Sequence, residues 1–580
     1  MSPLSSDRRR LKLTAGKTLF DHADDVQIKV PTSCGRTGTC HECIVEVIRG
    51  MEALSERSDA EQFLRDNYRL ACQARVLDAQ ADVEFAPMKR RRQIVTSGQS
   101  RDVELDPLTR RVGDEVFFGD RRIDVYRGAI YGLAIDVGTT TVVLNLVDLE
   151  SGVVRYTSSL ENPQRFGGSD VMNRISYERG FYRGELQRAI VNAINTEIRE
   201  MCRQLRFIRR LIYEVVVVGN STMRDLFFNL DVQTIGEKPF RSLTELAILN
   251  GERSTTSLTM APRELGLRIN PAGSVYGAPL IGSHVGADAA ADLLAIGVDE
   301  FADDDTFILV DIGTNTEVIV GTRHRMLAAS CPAGPAFEGG HVTYGMPGYE
   351  GAIESVSSCD GRIEYKVIGD REPEGICGSG LIDLITVLVH QRTMSPLGIF
   401  VDRSREITIV PERGITFSRS DASELAQAKA ANYAGQLILL RSLDLTPERI
   451  KHVFLAGGFA NYINIANAIA IGFIPHLPSE KIVKVGNAAL EGATALLRSR
   501  AKREILERLV RRIEHVELET VPDFFDIFVE GCAFEPMKLD RLTLSGQAES
   551  VRTDGDSIDR WEQHVLPAAA SDVRDTQVKA

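Results

Sequence analysis

The chain has 580 residues, with 68 Lys+Arg against 81 Asp+Glu and a formal net charge of −13. That balance disfavours a nucleic-acid partner, which needs a basic surface to displace counterions. With 43% hydrophobic and 26% charged residues, wholesale disorder is excluded, and at ~100–200 residues per domain the length predicts about three to five domains.

No apolar run approaches the ~20 residues of a membrane helix. The N-terminal MSPLSSDRRRLKL has no apolar stretch ahead of a small-residue cleavage site. The expectation is therefore a cytoplasmic protein that does not enter a membrane.

Residues 1–87 read as one small β-rich unit. Strands are expected at 11–13, 26–30, 44–48 and 81–85, and helical spacing over 54–67. Four of the nine cysteines fall here, as Cys34-x5-Cys40-x2-Cys43-x28-Cys72. Three thiols on one tight loop and a fourth from a distant segment suit a [2Fe–2S] centre. Zinc would more naturally show two Cys pairs of short spacing, and packed structural thiols are the bland alternative. Gly35 and Gly38 let the loop curl and aim N–H groups at the sulfurs.

Pro87 and the basic run at 89–92 break the pattern, so residues 88–127 read as a linker or a small connecting element, with the basic run a solvated face or a dock for an acidic partner. From Ile130 to about residue 500, apolar strands alternate with amphipathic helices, which signals α/β layering. The clearest helices are 183–205 and 422–443, with a charged helical stretch at 499–512. Residues 536–580 are polar and aperiodic and read as a flexible tail.

One segment recurs. Gly132-Leu-Ala-Ile-Asp136-Val-Gly138-Thr139-Thr140-Thr141 returns as Phe307-Ile-Leu-Val-Asp311-Ile-Gly313-Thr314-Asn315-Thr316. Each reads as strand, tight turn, strand. The glycine admits backbone N–H groups to a phosphate, the hydroxyls add donors, and the Asp can hold Mg²⁺ directly or through water. A single copy would equally suit a hairpin with no ligand; two copies point to a bilobal nucleotide fold. A third element, Val453-Phe-Leu-Ala-Gly457-Gly458, ends a strand in a glycine pair that can pass beneath a nucleoside. A Walker A pattern is absent from the sequence, which disfavours the P-loop class.

Two phosphate loops followed by an adenosine loop resemble the superfamily of acetate and sugar kinases, Hsp70 and actin. The linked motifs are narrower. Residues 162–175 (Asn-Pro-Gln-Arg-Phe-Gly-Gly-Ser-Asp-Val-Met-Asn-Arg-Ile), Val218-Gly-Asn220, His284-Val-Gly-Ala-Asp288, Ala333-Gly-Pro-Ala-Phe-Glu338, Gly375-Ile-Cys-Gly378-Ser-Gly380 and Gly486-Asn-Ala-Ala resemble signatures of the reductive activators of corrinoid enzymes, over residues ~10–535.

That resemblance implies a multidomain chain: an α+β β-grasp [2Fe–2S] ferredoxin domain over 1–87, the linker 88–127, an α/β bilobal actin-like ATPase over 128–535 (first lobe about 128–300, second about 301–535), and the tail. Cys34, Cys40, Cys43 and Cys72 would hold the cluster. Asp136, Gly138, Thr139 and Thr140 would form one phosphate loop; Asp311, Gly313, Thr314 and Asn315 the other; Gly457 and Gly458 would border the adenosine. Asp136 and Asp311 are the expected catalytic carboxylates, with ATP and Mg²⁺ in the cleft. The implied activity is ATP-dependent transfer of one electron from the cluster to an inactive Co(II) corrinoid, regenerating Co(I). Partners would be a corrinoid protein (a methyltransferase carrier or a corrinoid-dependent methionine synthase), an upstream electron donor, and a second copy of the chain as a homodimer. Alternatives are an ATP-driven electron-transfer activator of another enzyme and a chaperone-like reactivase. The chain departs from the family pattern at His41-Glu42, where a Gly-Lys pair is common, and at Thr316, which is often Gly. No water-activating base is evident; Glu338 is the nearest candidate.

Overall fold

The computed structural model describes residues 13–88, 101, 103–282, 284–458 and 460–539; the expected tail beyond 539, most of the 11–13 strand and the basic run at 89–92 lie outside them. Among the described residues no helix is long and apolar enough to cross a membrane.

The N-terminal unit is a three-stranded antiparallel sheet with Ile44–Arg49 at its centre, flanked by Tyr68–Leu70 and Glu84–Pro87. Helix Leu19–Asp25 opens it, capped by Thr18 and Asp21 in a reciprocal box. Two expectations fail here. Residues 26–30 form no strand, and 54–67 form a loop with one 3₁₀ turn, Asp59–Glu61. The reason is Glu61. Its buried carboxylate takes Arg69 at 2.8 Å and the N–H groups of Ser58 and Leu70 at 3.0 Å, so side-chain bonds hold the backbone where a helix would otherwise compete.

Residues 109–125 correct the expected linker. Thr109–Val112, Glu115–Phe118 and Arg121–Val125 form a three-stranded meander, turned by Gly113 and Gly119. Val116 is fully buried against the first lobe. Thr109 donates its hydroxyl to Glu214 at 2.7 Å, and Glu214 also receives Arg503. Short apolar alternation between charged residues hid this element.

The remainder is built on two six-stranded sheets of matching order. The first runs Leu258–Met260, Ser274–Gly277, Ile212–Val218, Tyr131–Val137, Thr141–Asp148, Val154–Glu161. The second runs Ile482–Gly486, His452–Ala456, Phe307–Ile312, Thr316–Thr322, Arg325–Cys331, Ile513–His515. In each, an antiparallel meander begins at the repeated segment and two parallel strands lie on its other side. The repeat is thus a structural duplication, with an extra edge strand at opposite ends of the two sheets.

Helices Ala287–Ala295 and Ala488–Arg498 pack together against the first sheet, although the second follows a strand of the other sheet. They meet so closely that a Cβ on Gly492 would lie 2.1 Å from Ala291 O. Residues of both sheets share one core with them. The long helices Glu185–Leu205 and Arg419–Ser442 cover the outer faces, close to their expected positions.

Candidate functional site

The duplicated hairpins face each other across a cleft of about 530 Å³. All ten expected nucleotide residues line it: Asp136, Gly138, Thr139, Thr140, Asp311, Gly313, Thr314, Asn315, Gly457 and Gly458. The signature motifs supply further walls: Asn220, Asp288, Glu338, Gly378 and Asn487. Gly457 has φ 107°, and any Cβ there would lie 2.1 Å from Ile312 O. Only glycine lets this strand end pass so near the second phosphate strand. His341 and His284 do not line the cleft. Thr316, where glycine is common, starts a strand without positive φ and is paired with Ile312.

The first loop is braced from outside. Three asparagines that cap helices or turns turn their amides toward it. Asn162 donates to Gly138 O at 2.8 Å, Asn220 to Thr139 Oγ1 at 3.0 Å, and Asn487 to Asp136 Oδ2 at 2.9 Å. Buried Arg174 adds a bond to Thr139 O at 2.7 Å; burial pulls its pKa down to about 9, so it stays charged at neutral pH. The two loops touch through Thr140 and Thr314, whose hydroxyls are 3.2 Å apart. Both donate to one oxygen of Glu338, at 3.0 and 2.5 Å.

Beneath the loops lies an acidic floor. Asp136, Asp288 and Asp311 keep part of their surface open to the cleft, while protein walls them elsewhere. Burial lifts Asp136 to about 7, with Asp311's charge adding and Asn487 opposing. Burial and the charges of Asp311 and Asp136 lift Asp288 to about 8. Asp311 rises to about 6 through burial and Glu338's charge, while Asp292 facing it acts the other way. Asp292 and Glu317 are held well above the carboxylate range by burial and these neighbours. Asp292 is fully buried, and neither of its oxygens receives an N–H or O–H bond. Motif reading missed both residues, although Asp292 stands one helical turn after Asp288 and Glu317 follows Thr316 directly.

Among the described residues no three His, Cys, Asp or Glu side chains converge on one point to cage an ion alone. Mg²⁺ does not require that, since one or two carboxylates plus phosphate and water satisfy it. Mutually repelling acids with orphaned oxygens fit such a cation.

The four cysteines form two thiol pairs. Cys43 and Cys72 stand 3.4 Å apart, and Cys34 is within bonding reach of Cys40. Two irons bridged by sulfide each need two thiolates, so the set fits a [2Fe–2S] cluster. Donors already favour thiolate. Burial pushes Cys34 up, but Thr37 and the N–H groups of Cys40 and Thr39 outweigh it and leave about 5. The thiol of Cys43 donates to Cys72 and, helped by Gln73 at 3.3 Å, brings it to about 7; Cys43 is raised in return.

The cysteine loop rests on the first lobe. Arg188 binds Thr39 O, Asn192 donates to Cys40 O at 3.1 Å, and His41 Nδ1 meets Glu185 Oε2 at 2.7 Å. His41 stacks on Phe63 with centroids 4.1 Å apart. Its φ is 57°, a left-handed conformation that explains why glycine suits this position.

Three family models match in tandem: the 2Fe-2S iron-sulfur cluster binding domain over residues 5–77, the RACo middle region over 131–301, and the C-terminal domain of RACo, the ASKHA domain, over 305–544. The corrinoid activation enzyme RamQ of Eubacterium limosum is 30% identical over 567 residues, covering 86% of this chain and 93% of that protein. The [Co(II) methylated amine-specific corrinoid protein] reductase of Methanosarcina barkeri is 23% identical over 442 residues, covering 69% and 76%. A solved reductive activator for corrinoid, iron-sulfur protein superposes with TM-score 0.67 at 28% identity, over 93% of this chain and 99% of that one. A [2Fe–2S] domain followed by a duplicated ATPase fold, matched over 93% of RamQ and 99% of the solved activator, places the chain in the family of reductive activators of corrinoid proteins.

Proposed function

We propose that this protein restores a corrinoid protein to its active state, transferring one electron to inactive Co(II) and yielding Co(I) in a reaction that consumes ATP. The observation that carries the reading is a thiol set suited to a one-electron centre, seated directly on the lobe that bears the first phosphate loop. Cys34, Cys40, Cys43 and Cys72 hold the centre. When bound there, a [2Fe–2S] cluster supplies one-electron chemistry, reloaded by an upstream donor.

Gly138, Thr139 and Thr140 on one side, and Gly313, Thr314 and Asn315 on the other, grip the phosphates of ATP. Gly457 and Gly458 border its adenosine. Asp136 and Asp311, backed by Asp288, hold Mg²⁺. Glu338, at the junction of both loops, orients the attacking water. For a one-electron step every ~59 mV of deficit costs a factor of ten. ATP offsets such a deficit only through different affinity for two states. Lobe closure on ATP therefore strengthens docking to the Co(II) form, and hydrolysis releases the product.

A homodimer joined through the ATPase region completes the reading. It is supported by exposed Leu397 and Val401, and by Phe525 and Val529 on helix Phe524–Gly531, after which the chain meets the first group where Phe534 N–H bonds Pro396 O. The test follows Co(I) absorbance of a Co(II) corrinoid protein with ATP, with a non-hydrolysable analogue and without nucleotide. Rapid formation is expected with ATP alone. Equal rates in all three, or no formation, overturn the proposal, and Cys72→Ala must abolish both the iron–sulfur spectrum and the reaction.

A further inference from the structure

The segment 162–178 includes the family signature at 162–175, yet it brings no residue into the cleft lining; Asn162 and Arg174 brace the first phosphate loop from behind. Its glycine at 168 has φ 143°, and a Cβ there would lie 2.3 Å from Asn173 Cβ. The turn is thereby pressed against helix Val171–Glu178, which Asp170 caps through Asn173 N–H at 2.9 Å. From this helix Arg174 spans two carbonyls, Gly168 O at 3.0 Å and Thr139 O at 2.7 Å, with Met223 Sδ at 3.0 Å. One turn on, Tyr177 donates its hydroxyl to Phe63 O at 2.7 Å. Phe63 is the residue on which His41 of the cysteine loop stacks. Phe166 of the same signature packs edge-on against both Phe63 and Tyr177, with centroids 5.5 and 5.6 Å apart. Arg174, Met223, Tyr177, Phe63 and Phe166 are buried, and His41 is largely so.

We propose that segment 162–178 is a strut that couples nucleotide occupancy of the first phosphate loop to the seating of the cysteine loop, with Tyr177 as the positioning residue at its far end. The inference rests on the function proposed above and says how the nucleotide reaches the electron-donating loop. Arg174 is a buried cation that bonds carbonyls and a thioether. A phosphate arriving in front of Thr139 draws this charge toward the cleft. The short helix is stiff, so Tyr177 moves with Arg174 and its hold on Phe63 slackens. His41 then loses its platform, and the loop 34–43 lifts from helix Glu185–Leu205. Packed interiors switch between arrangements rather than deform continuously, which suits a two-position strut.

The experiment uses the full-length protein with its cluster assembled, without any corrinoid partner, and the non-hydrolysable ATP analogue with Mg²⁺ as probe. Amide hydrogen exchange is read over residues 36–43. In the wild type, nucleotide accelerates exchange there by about fivefold, within the usual range of coupling between sites. Tyr177→Phe keeps the ring packing, the cluster spectrum and ATP hydrolysis, but the loop exchanges fast with or without nucleotide. Arg174→Lys keeps the charge but cannot span both carbonyls, so the nucleotide response shrinks. A wild-type loop indifferent to nucleotide, or variants that respond as fully as the wild type, overturns the strut. A chain that shows the response yet reduces no Co(II) corrinoid protein overturns the proposed function and leaves the strut standing.

Discussion

The two phosphate hairpins share strand order and a repeated sequence, although the second turn is one residue tighter, with Asp136 opposite Val143 but Asp311 opposite Glu317, and their surroundings divide the labour. The first, Tyr131–Asp148, is held by Asn162, Asn220, Asn487 and Arg174, so its loop geometry is fixed by neutral amides and one buried cation. The second, Phe307–Thr322, has acids around it: Asp311 faces Asp292, Thr314 donates to Glu338, and Glu317 is buried beneath. Duplication supplies the frame. The flanking segments then make one copy a braced receiver connected to the cysteine domain and the other a cation-hungry pocket.

If that division is right, equivalent substitutions in the two hairpins have unequal effects. Asp311→Asn should lower ATP turnover by about 10²–10³-fold, the scale of losing a preorganised electrostatic group at a phosphoryl site. Asp136→Asn, where Asn487 still offers a partner, should cost roughly an order of magnitude less. Equal losses in steady-state ATPase assays would break the comparison. Gly457→Ala acts on the backbone beside the second hairpin. Its Cβ has no space against Ile312 O, and its φ is strained for any side chain. A destabilisation of about 2–3 kcal/mol is expected in denaturant unfolding, together with lost nucleotide binding.

The acidic floor sharpens the comparison through pH. Asp311, Asp136 and Asp288 have folded-state pKa values raised to about 6, 7 and 8. A raised carboxyl stabilises the fold when protonated. That contribution is complete below the unfolded value near 4 and is lost as pH rises through 6 to 8. The nucleotide-free protein should therefore melt at lower temperature at pH 8 than at pH 6. Mg²⁺ competes with these protons, so its affinity with bound nucleotide should climb over the same window, by up to about tenfold per pH unit for each proton displaced. Calorimetry at three pH values checks both signs, and a Mg²⁺ affinity that is flat with pH would remove the floor from the metal site.

Glycines, hydroxyls and the repeated Asp made the cleft legible in the sequence, because phosphate approach demands small residues and donors at fixed spacing. The thiol spacing was legible for the same reason. What stayed hidden depended on tertiary contact. Asp292 and Glu317 are single acids in apolar strings, indistinguishable from surface charges until the fold buries them. The apolar spacing over 54–67 is helical, and Glu61's capture by Arg69 decides against a helix there. The meander at 109–125 looked like a linker because its one buried anchor, Val116, sits among charges. Docking of the cysteine loop on Glu185–Leu205 had no local signal at all, since its partners lie far apart in the chain.

That docking gives the smallest expected effect and the cleanest comparison, because the first hairpin's lobe is bonded to the cysteine loop. His41 occupies a left-handed position that costs about 1–2 kcal/mol relative to glycine and is held there by the Phe63 stack and by Glu185. His41→Gly thus removes strain and a contact together, so its net effect on stability should stay within about 1 kcal/mol. Glu185→Gln keeps the shape and weakens its bonds to His41 and Arg188. In a double-mutant cycle the pair should show a coupling of about 1 kcal/mol, as a partly buried charge-assisted bond does, while Glu185 paired with Lys451, on the second lobe, shows none. A vanishing His41–Glu185 coupling would mean that the loop touches the lobe without being held by it, and the two hairpins would then differ in chemistry alone.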